Sequence, residues 1–164
     1  MPMRPTMKFY NYDIVFQEIP DEVTLAINIT HCPNHCVGCH SPHLWEDIGH
    51  ELTEEVIDNL TAKYKNLITC VCLMGGDRQW PEVKRLMGHV RRHTKLHTAW
   101  YSGREQFPDA TTSTTSSSLS LFDYVKLGPY RPDLGGLKSK TTNQRMYRVD
   151  KGKMVDITNR FWPR

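Results

Sequence analysis

The hydrophobic and polar positions of this chain alternate between strand-like runs and helical segments. The strand-like runs are short and apolar, and they cover 23–29, 67–74, 96–101 and 122–127. Between the first three runs, residues 51–65 and 81–93 place their apolar side chains at helical spacing. Strands and helices in this alternating order are typical of an α/β layer with a parallel sheet.

Two of these segments carry further local signals. Thr53 stands where an N-cap is expected, just ahead of the apolar face of the first helix. The run 67–74 is continuously apolar, as in a buried parallel strand, and it ends at Gly75-Gly76-Asp77. Because such sheets bind ligands beyond the carboxyl ends of their strands, residues that follow a strand are candidates for a functional site.

Length predicts a single domain over residues 1–164, which is long enough to bury a core without disulfides. The tract 111–118 contains only serine and threonine, and we interpret it as a polar loop where a third crossover helix would be expected. The tail 145–164 alternates weakly around a turn at 150–153, which predicts a small hairpin.

The composition is that of an ordinary globular protein, with 38% hydrophobic and 24% charged residues. A net charge of +3 is too small to favour nucleic acid as a partner. The N-terminus lacks the apolar core of a secretory signal, and no stretch approaches the roughly 18 to 20 apolar residues of a membrane span. We therefore expect a soluble cytoplasmic protein with neither a nucleic-acid nor a membrane partner.

The cysteines are concentrated in one segment directly after the first predicted strand. Three of the five, Cys32, Cys36 and Cys39, lie within eight residues. Cytoplasmic thiols stay reduced and an odd total fits a disulfide framework poorly, so metal binding or catalysis is the better interpretation. The proline, asparagine and glycine between them indicate a loop, which disfavours three small buried hydrophobes.

Several chemistries fit three clustered thiols. Zinc needs four ligands, and His43 could supply the fourth. A thiol nucleophile could recruit a neighbouring histidine as base, but it would not need three thiols. An iron–sulfur cluster fits best, because three thiolates on four irons leave one iron with an open position for a substrate.

The motif C-x3-C-x2-C after a first strand, with Gly-Gly-Asp after the next, resembles the radical S-adenosylmethionine enzymes. Within them the chain is similar to the activating proteins of anaerobic ribonucleotide reductase, and the similarity runs from about residue 9 to residue 162. It rests on Gly38 before the third cysteine, on WYSG at 100–103, on KLGPY at 126–130 and on TTNQR at 141–145. The serine and threonine tract departs from it.

The resemblance implies a role for each motif residue. A [4Fe-4S] cluster would be ligated by Cys32, Cys36 and Cys39. The adenine of S-adenosylmethionine would lie against the backbone of Gly38, Cys39 and His40. Its methionyl ammonium group would meet Gly75, Gly76 and Asp77. A water-exposed His40 and an Asp77 that only caps the following helix stay open as alternatives, and Ser102 and Gly103 are candidates for the ribose.

The resemblance also implies a fold and a function. The fold would be a partial TIM-type barrel with a mostly parallel sheet. Reductive cleavage of S-adenosylmethionine would give a 5′-deoxyadenosyl radical, which takes hydrogen from a backbone glycine of the large subunit of the reductase and leaves a glycyl radical. The electron would come from a donor such as flavodoxin. Two alternatives stay open: an activase of another glycyl-radical enzyme of the pyruvate formate-lyase type, and a zinc-binding interaction module without catalysis.

Overall fold

The computed structural model describes residues 7–30, 49–108 and 117–162. The strands are β1 (Lys8–Val15), β2 (Thr24–Ile29), β3 (His50–Glu51), β4 (Cys70–Met74), β5 (His97–Tyr101), β6 (Tyr124–Leu127), β7 (Arg145–Asp150) and β8 (Lys153–Asp156). The α-helices are α1 (Glu54–Lys63) and α2 (Trp80–His93). Short 3-10 turns cover Asp77–Gln79, Ser117–Leu121 and Thr158–Phe161.

All of these strands join one mixed sheet in the order β3-β1-β2-β4-β5-β6-β7-β8. The pairs β2–β4, β4–β5 and β5–β6 are parallel. The other four pairs, two at each side of the sheet, are antiparallel. The predicted partial TIM-type barrel with a mostly parallel sheet is therefore wrong, since antiparallel pairs predominate among the described strands.

The connections between strands explain the difference. A parallel pair needs a long crossover, usually a helix, whereas a short turn gives an antiparallel pair. In the described part of the chain only α1 and α2 are α-helical crossovers, and they serve the pairs β2–β4 and β4–β5. The short connections β1–β2 and β7–β8 add antiparallel pairs on either side.

The predicted helices and the C-terminal hairpin are confirmed. Thr53 is the N-cap of α1, where its Oγ1 accepts a hydrogen bond of 3.2 Å from the backbone N–H of Val56. Strands β7 and β8 form the hairpin around Lys151 and Gly152, both with positive φ. Of the tract 111–118, residues 111–116 lie outside the described residues, and Ser117 begins a 3-10 turn.

The two faces of the sheet bury different cores. The face covered by α1 and α2 holds the larger cluster, in which the rings of Trp80 and Trp100 stack 5.0 Å apart beside Phe107 and Phe122. The opposite face holds a smaller cluster around Cys70, Cys72, Ala99 and Met146. Trp80 is therefore a packing residue. No helix among the described residues is long and apolar enough to cross a membrane.

Candidate functional site at the carboxyl edge of the parallel strands

The four central strands run in the same direction, so their carboxyl ends meet at one edge of the sheet. The residues that directly follow these four strands are Thr30, Gly75, Ser102 and Gly128. The candidate residues predicted after β4 and β5 are thus brought together at a single edge. The other candidates, Cys32, Cys36, Gly38, Cys39 and His40, fall within 31–48, outside the described residues.

The described residues on either side of 31–48 are both fixed against β1. The backbone N–H of Thr30 donates to the carbonyl of Lys8 at 3.0 Å. On the return, the N–H of Leu52 donates to the carbonyl of Met7 at 2.7 Å. Thr30 and Leu52, which lie in the described residues on either side of the cysteine segment, are therefore both bonded near the N-terminal end of β1.

Gly75 and Gly76 both need the conformational freedom of glycine. Their φ angles are +113° and +94°, in the region that favours residues without a Cβ. A Cβ on Gly75 would lie 3.4 Å from the Cβ of Ile29, the last residue of β2. A Cβ on Gly76 would lie 2.8 Å from a methyl group of Val83. The pair makes a sharp turn directly beside the strand from which the cysteine segment departs.

The carboxylate of Asp77 faces the end of β5. Its Oδ1 accepts from the hydroxyl of Ser102 at 2.5 Å, and its Oδ2 accepts from the N–H of Gly103 at 2.9 Å. Asp77 is only 5% exposed, and the guanidinium of Arg104 donates to its backbone carbonyl at 2.9 Å. The alternative that Asp77 only caps the following helix is therefore wrong, since both carboxylate oxygens bond to residues that follow β5.

The carbonyl of Gly75 also has a side-chain donor. The indole Nε1–H of Trp100 donates to it at 2.6 Å. Trp100 is fully buried and lies on the helix-covered face of the sheet. Trp100, Ser102 and Gly103 from the β5 region thus hold the turn that follows β4.

A cavity of about 790 Å³ opens on the face opposite the helices. Met74, Tyr101 and Lys126 line it from β4, β5 and β6. The other residues that line the cavity are Gln17, Glu18, Tyr130, Gly136, Leu137, Lys138, Ser139, Gln144 and Phe161. Burial raises the pKa of Tyr101 well above its usual value, so its hydroxyl stays protonated and donates to the carbonyl of Glu18.

Lys126 is the residue of this cavity that sequence reasoning missed. Its side chain is 8% exposed, and its ammonium donates to the carbonyls of Ser102 at 3.2 Å and Gly128 at 2.7 Å. A lysine in the middle of an apolar strand is unusual, because a buried ammonium is costly unless hydrogen-bonded. The position of Lys126 within an apolar strand was therefore the sequence signal that could have identified it.

The two remaining cysteines, Cys70 and Cys72, are core residues. Cys70 and Cys72 are both fully buried, and burial raises the pKa of each thiol far above its usual value. Both lie in the apolar cluster on the face opposite the helices, which is the environment of a core residue. The described ranges also contain no group of three or more histidine, cysteine, aspartate or glutamate side chains that could hold a metal ion.

Comparison with known protein families identifies the class of protein. Residues 23–149 match the family described as "4Fe-4S single cluster domain", and the chain belongs to that family. It is therefore a metal-binding iron–sulfur protein, and the match supports a [4Fe-4S] cluster as its cofactor. No curated protein and no solved structure matches the chain significantly.

Proposed function

We propose that the protein is a radical S-adenosylmethionine enzyme that activates anaerobic ribonucleotide reductase. The observation that carries the proposal is the pairing of β2 with β4. In sequence the three-cysteine segment and Gly75-Gly76-Asp77 are more than thirty residues apart. In the fold Asn28 pairs with Met74, so the chain enters the cysteine segment next to the glycine turn.

The donor set of the chain fits a cluster with one open iron. A family of single [4Fe-4S] clusters requires thiolate ligands. Of the five cysteines in the sequence, Cys70 and Cys72 are fully buried in an apolar cluster. Cys32, Cys36 and Cys39 then remain as ligands for three irons, and the fourth iron is left for a substrate.

The described residues at the edge suit the amino-acid part of S-adenosylmethionine. Gly75 and Gly76 carry no side chain that would block the approach of a ligand. Asp77 adds a carboxylate that suits an ammonium group, and Lys126 in the neighbouring cavity suits a carboxylate. When bound, the reduced cluster would supply the electron that splits S-adenosylmethionine into methionine and a 5′-deoxyadenosyl radical.

The substrate of that radical would be a glycine in a second protein. The cavity beside the edge is about 790 Å³, which is within the range of small-ligand sites and admits a short segment of peptide. The TTNQR segment, which resembles the reductase activases, places Gln144 in its wall. We therefore propose the large subunit of anaerobic ribonucleotide reductase as partner, with a low-potential donor such as flavodoxin.

The first test is anaerobic reconstitution with iron and sulfide, followed by S-adenosylmethionine and dithionite. We expect 5′-deoxyadenosine by mass spectrometry from the wild type and none from Cys36→Ala. Cys72→Ala is the matched control, since it also removes one thiol but should retain iron, sulfide and product. A protein that holds only zinc and forms no product would overturn the proposal.

The partner is tested separately. Adding the large subunit of the reductase should produce the doublet of a glycyl radical in the electron paramagnetic resonance spectrum. A pyruvate formate-lyase type enzyme, added in its place, should give none. A glycyl radical in the pyruvate formate-lyase type enzyme and none in the reductase would overturn the choice of partner. The proposed cleavage of S-adenosylmethionine would be unaffected.

A further inference from the structure

The hydrogen-bond ladder between β4 and β5 stops at Gly75. The N–H of Gly75 donates to the carbonyl of Tyr101 at 2.9 Å, as expected from the register of the two strands. In a parallel pair, a residue that donates to one neighbour accepts from the residue two positions further on. The next rung would therefore join the N–H of Gly103 to the carbonyl of Gly75.

Both backbone groups of that expected hydrogen bond have other partners. The N–H of Gly103 donates to the carboxylate of Asp77 at 2.9 Å. The carbonyl of Gly75 accepts from the indole of Trp100 at 2.6 Å. Two side chains thus bond the two backbone groups that a continued ladder would join, and the backbone ladder between β4 and β5 ends at this point.

The replacement is stable because neither backbone group is left without a partner. A buried donor or acceptor that loses its partner pays the full cost of desolvation, so an opening without side-chain partners would close into the backbone rung. Ser102 supports the open arrangement further, because its hydroxyl donates to Asp77 and accepts from the N–H of Arg104 at 3.0 Å.

We propose that Trp100 is a positioning residue that, together with Asp77, holds the ends of β4 and β5 apart and so forms the opening that receives the amino-acid part of S-adenosylmethionine. The ligand in this inference rests on the proposed function. Trp100 lies on the helix-covered face and acts through the carbonyl of Gly75, so it orients the turn without touching the ligand.

The first test removes only the indole N–H. We would replace Trp100 by 3-benzothienylalanine, which has the same shape but carries sulfur in place of the N–H, and measure equilibrium binding of S-adenosylmethionine to the reconstituted full chain. Loss of one hydrogen bond predicts a dissociation constant raised by about 2- to 10-fold. Phe122→Leu is the control, since it thins the same aromatic cluster without a bond to Gly75. It should lower the melting temperature and leave the dissociation constant unchanged.

The second test needs no ligand. Trp100→Phe removes the donor to the carbonyl of Gly75, and Asp77→Ala removes the acceptor for the N–H of Gly103. Each substitution should therefore lower the melting temperature. In the double variant the freed N–H of Gly103 can bond the freed carbonyl of Gly75. The melting temperature should then be higher than the sum of the two single losses predicts, while binding of S-adenosylmethionine stays impaired.

The two tests separate this inference from the proposed function. Strictly additive losses of melting temperature would overturn the opening itself, whatever the ligand. Wild-type affinity in the benzothienylalanine variant would overturn the role of Trp100. A wild-type protein that does not bind S-adenosylmethionine, combined with non-additive melting temperatures, would overturn the ligand assignment and support the opened ladder.

Discussion

Replacing Gly76 by alanine tests how tightly the turn after β4 is packed. At φ of +94°, the added Cβ would lie 2.8 Å from Cγ2 of Val83 and 3.2 Å from Sδ of Met7. Both neighbours are fully buried. Val83 lies in α2, where a β-branched side chain has one strongly preferred rotamer, so its methyl group cannot turn away freely.

The expected loss follows from two separate costs. A left-handed backbone costs a residue with a Cβ about 1–2 kcal/mol. Overpacking of a well-packed core costs about 1–3 kcal/mol more. For a chain of this length, 1 kcal/mol changes the melting temperature by about 2–4 °C, so Gly76→Ala should lower it by about 4–20 °C.

Gly152→Ala is the matched control for this prediction. Gly152 also has a positive φ, of +77°, but a Cβ there would meet no atom within 4 Å. It therefore carries only the backbone cost. Scanning calorimetry of both variants at equal cluster loading compares the two. A loss for Gly76→Ala no larger than that for Gly152→Ala would refute the close packing of the turn against Val83 of α2 and against Met7.

Three further predictions concern single side chains. Thr53→Ala should lower the free energy of unfolding by about 1 kcal/mol, because the N–H of Val56 loses its acceptor; Thr53→Ser should restore it in urea titrations. Cys70 and Cys72 should resist iodoacetamide in the native protein and react after unfolding, as peptide mass spectrometry can show, and labelling of the folded protein would contradict their burial. Burial raises the pKa of Tyr124, so above pH about 10 the folded chain keeps a proton that the unfolded chain loses. The free energy of unfolding should therefore fall as the pH rises above about 10. Tyr124→Phe should flatten that fall in alkaline thermal melts.

The spacing of apolar residues and a capping residue were sufficient to predict the helices and several of the strands. The helices α1 and α2 and the strands β2, β4, β5 and β6 coincide with the segments predicted from apolar spacing, with ends that differ by at most three residues. Thr53 was found because a capping interaction is complete within four residues of sequence. Such signals need no knowledge of the rest of the chain.

The fold class could not be derived in the same way. Strand β1 was missed because its side chains are half-buried or exposed throughout, so it has no apolar run. The two residues of β3 are too few to form any pattern. The direction of a strand depends on its connection and its partner, and the antiparallel pairs that β1 and β7 contribute outnumber the parallel centre.

Asp77 shows why the candidate site was predicted only in outline. The sequence offered two roles for it, a counter-charge for an ammonium group and a cap for the next helix. The structure shows bonds to Ser102 and Gly103, which are about 25 residues away and become neighbours only because β4 pairs with β5. The hydroxyl of Ser102 and the N–H of Gly103 fix the direction of the carboxylate. A carboxylate held in place before a cation arrives loses little conformational entropy on binding. The bonds that sequence reasoning missed therefore fix the position of the carboxylate, and its contact with an ammonium group stays a prediction.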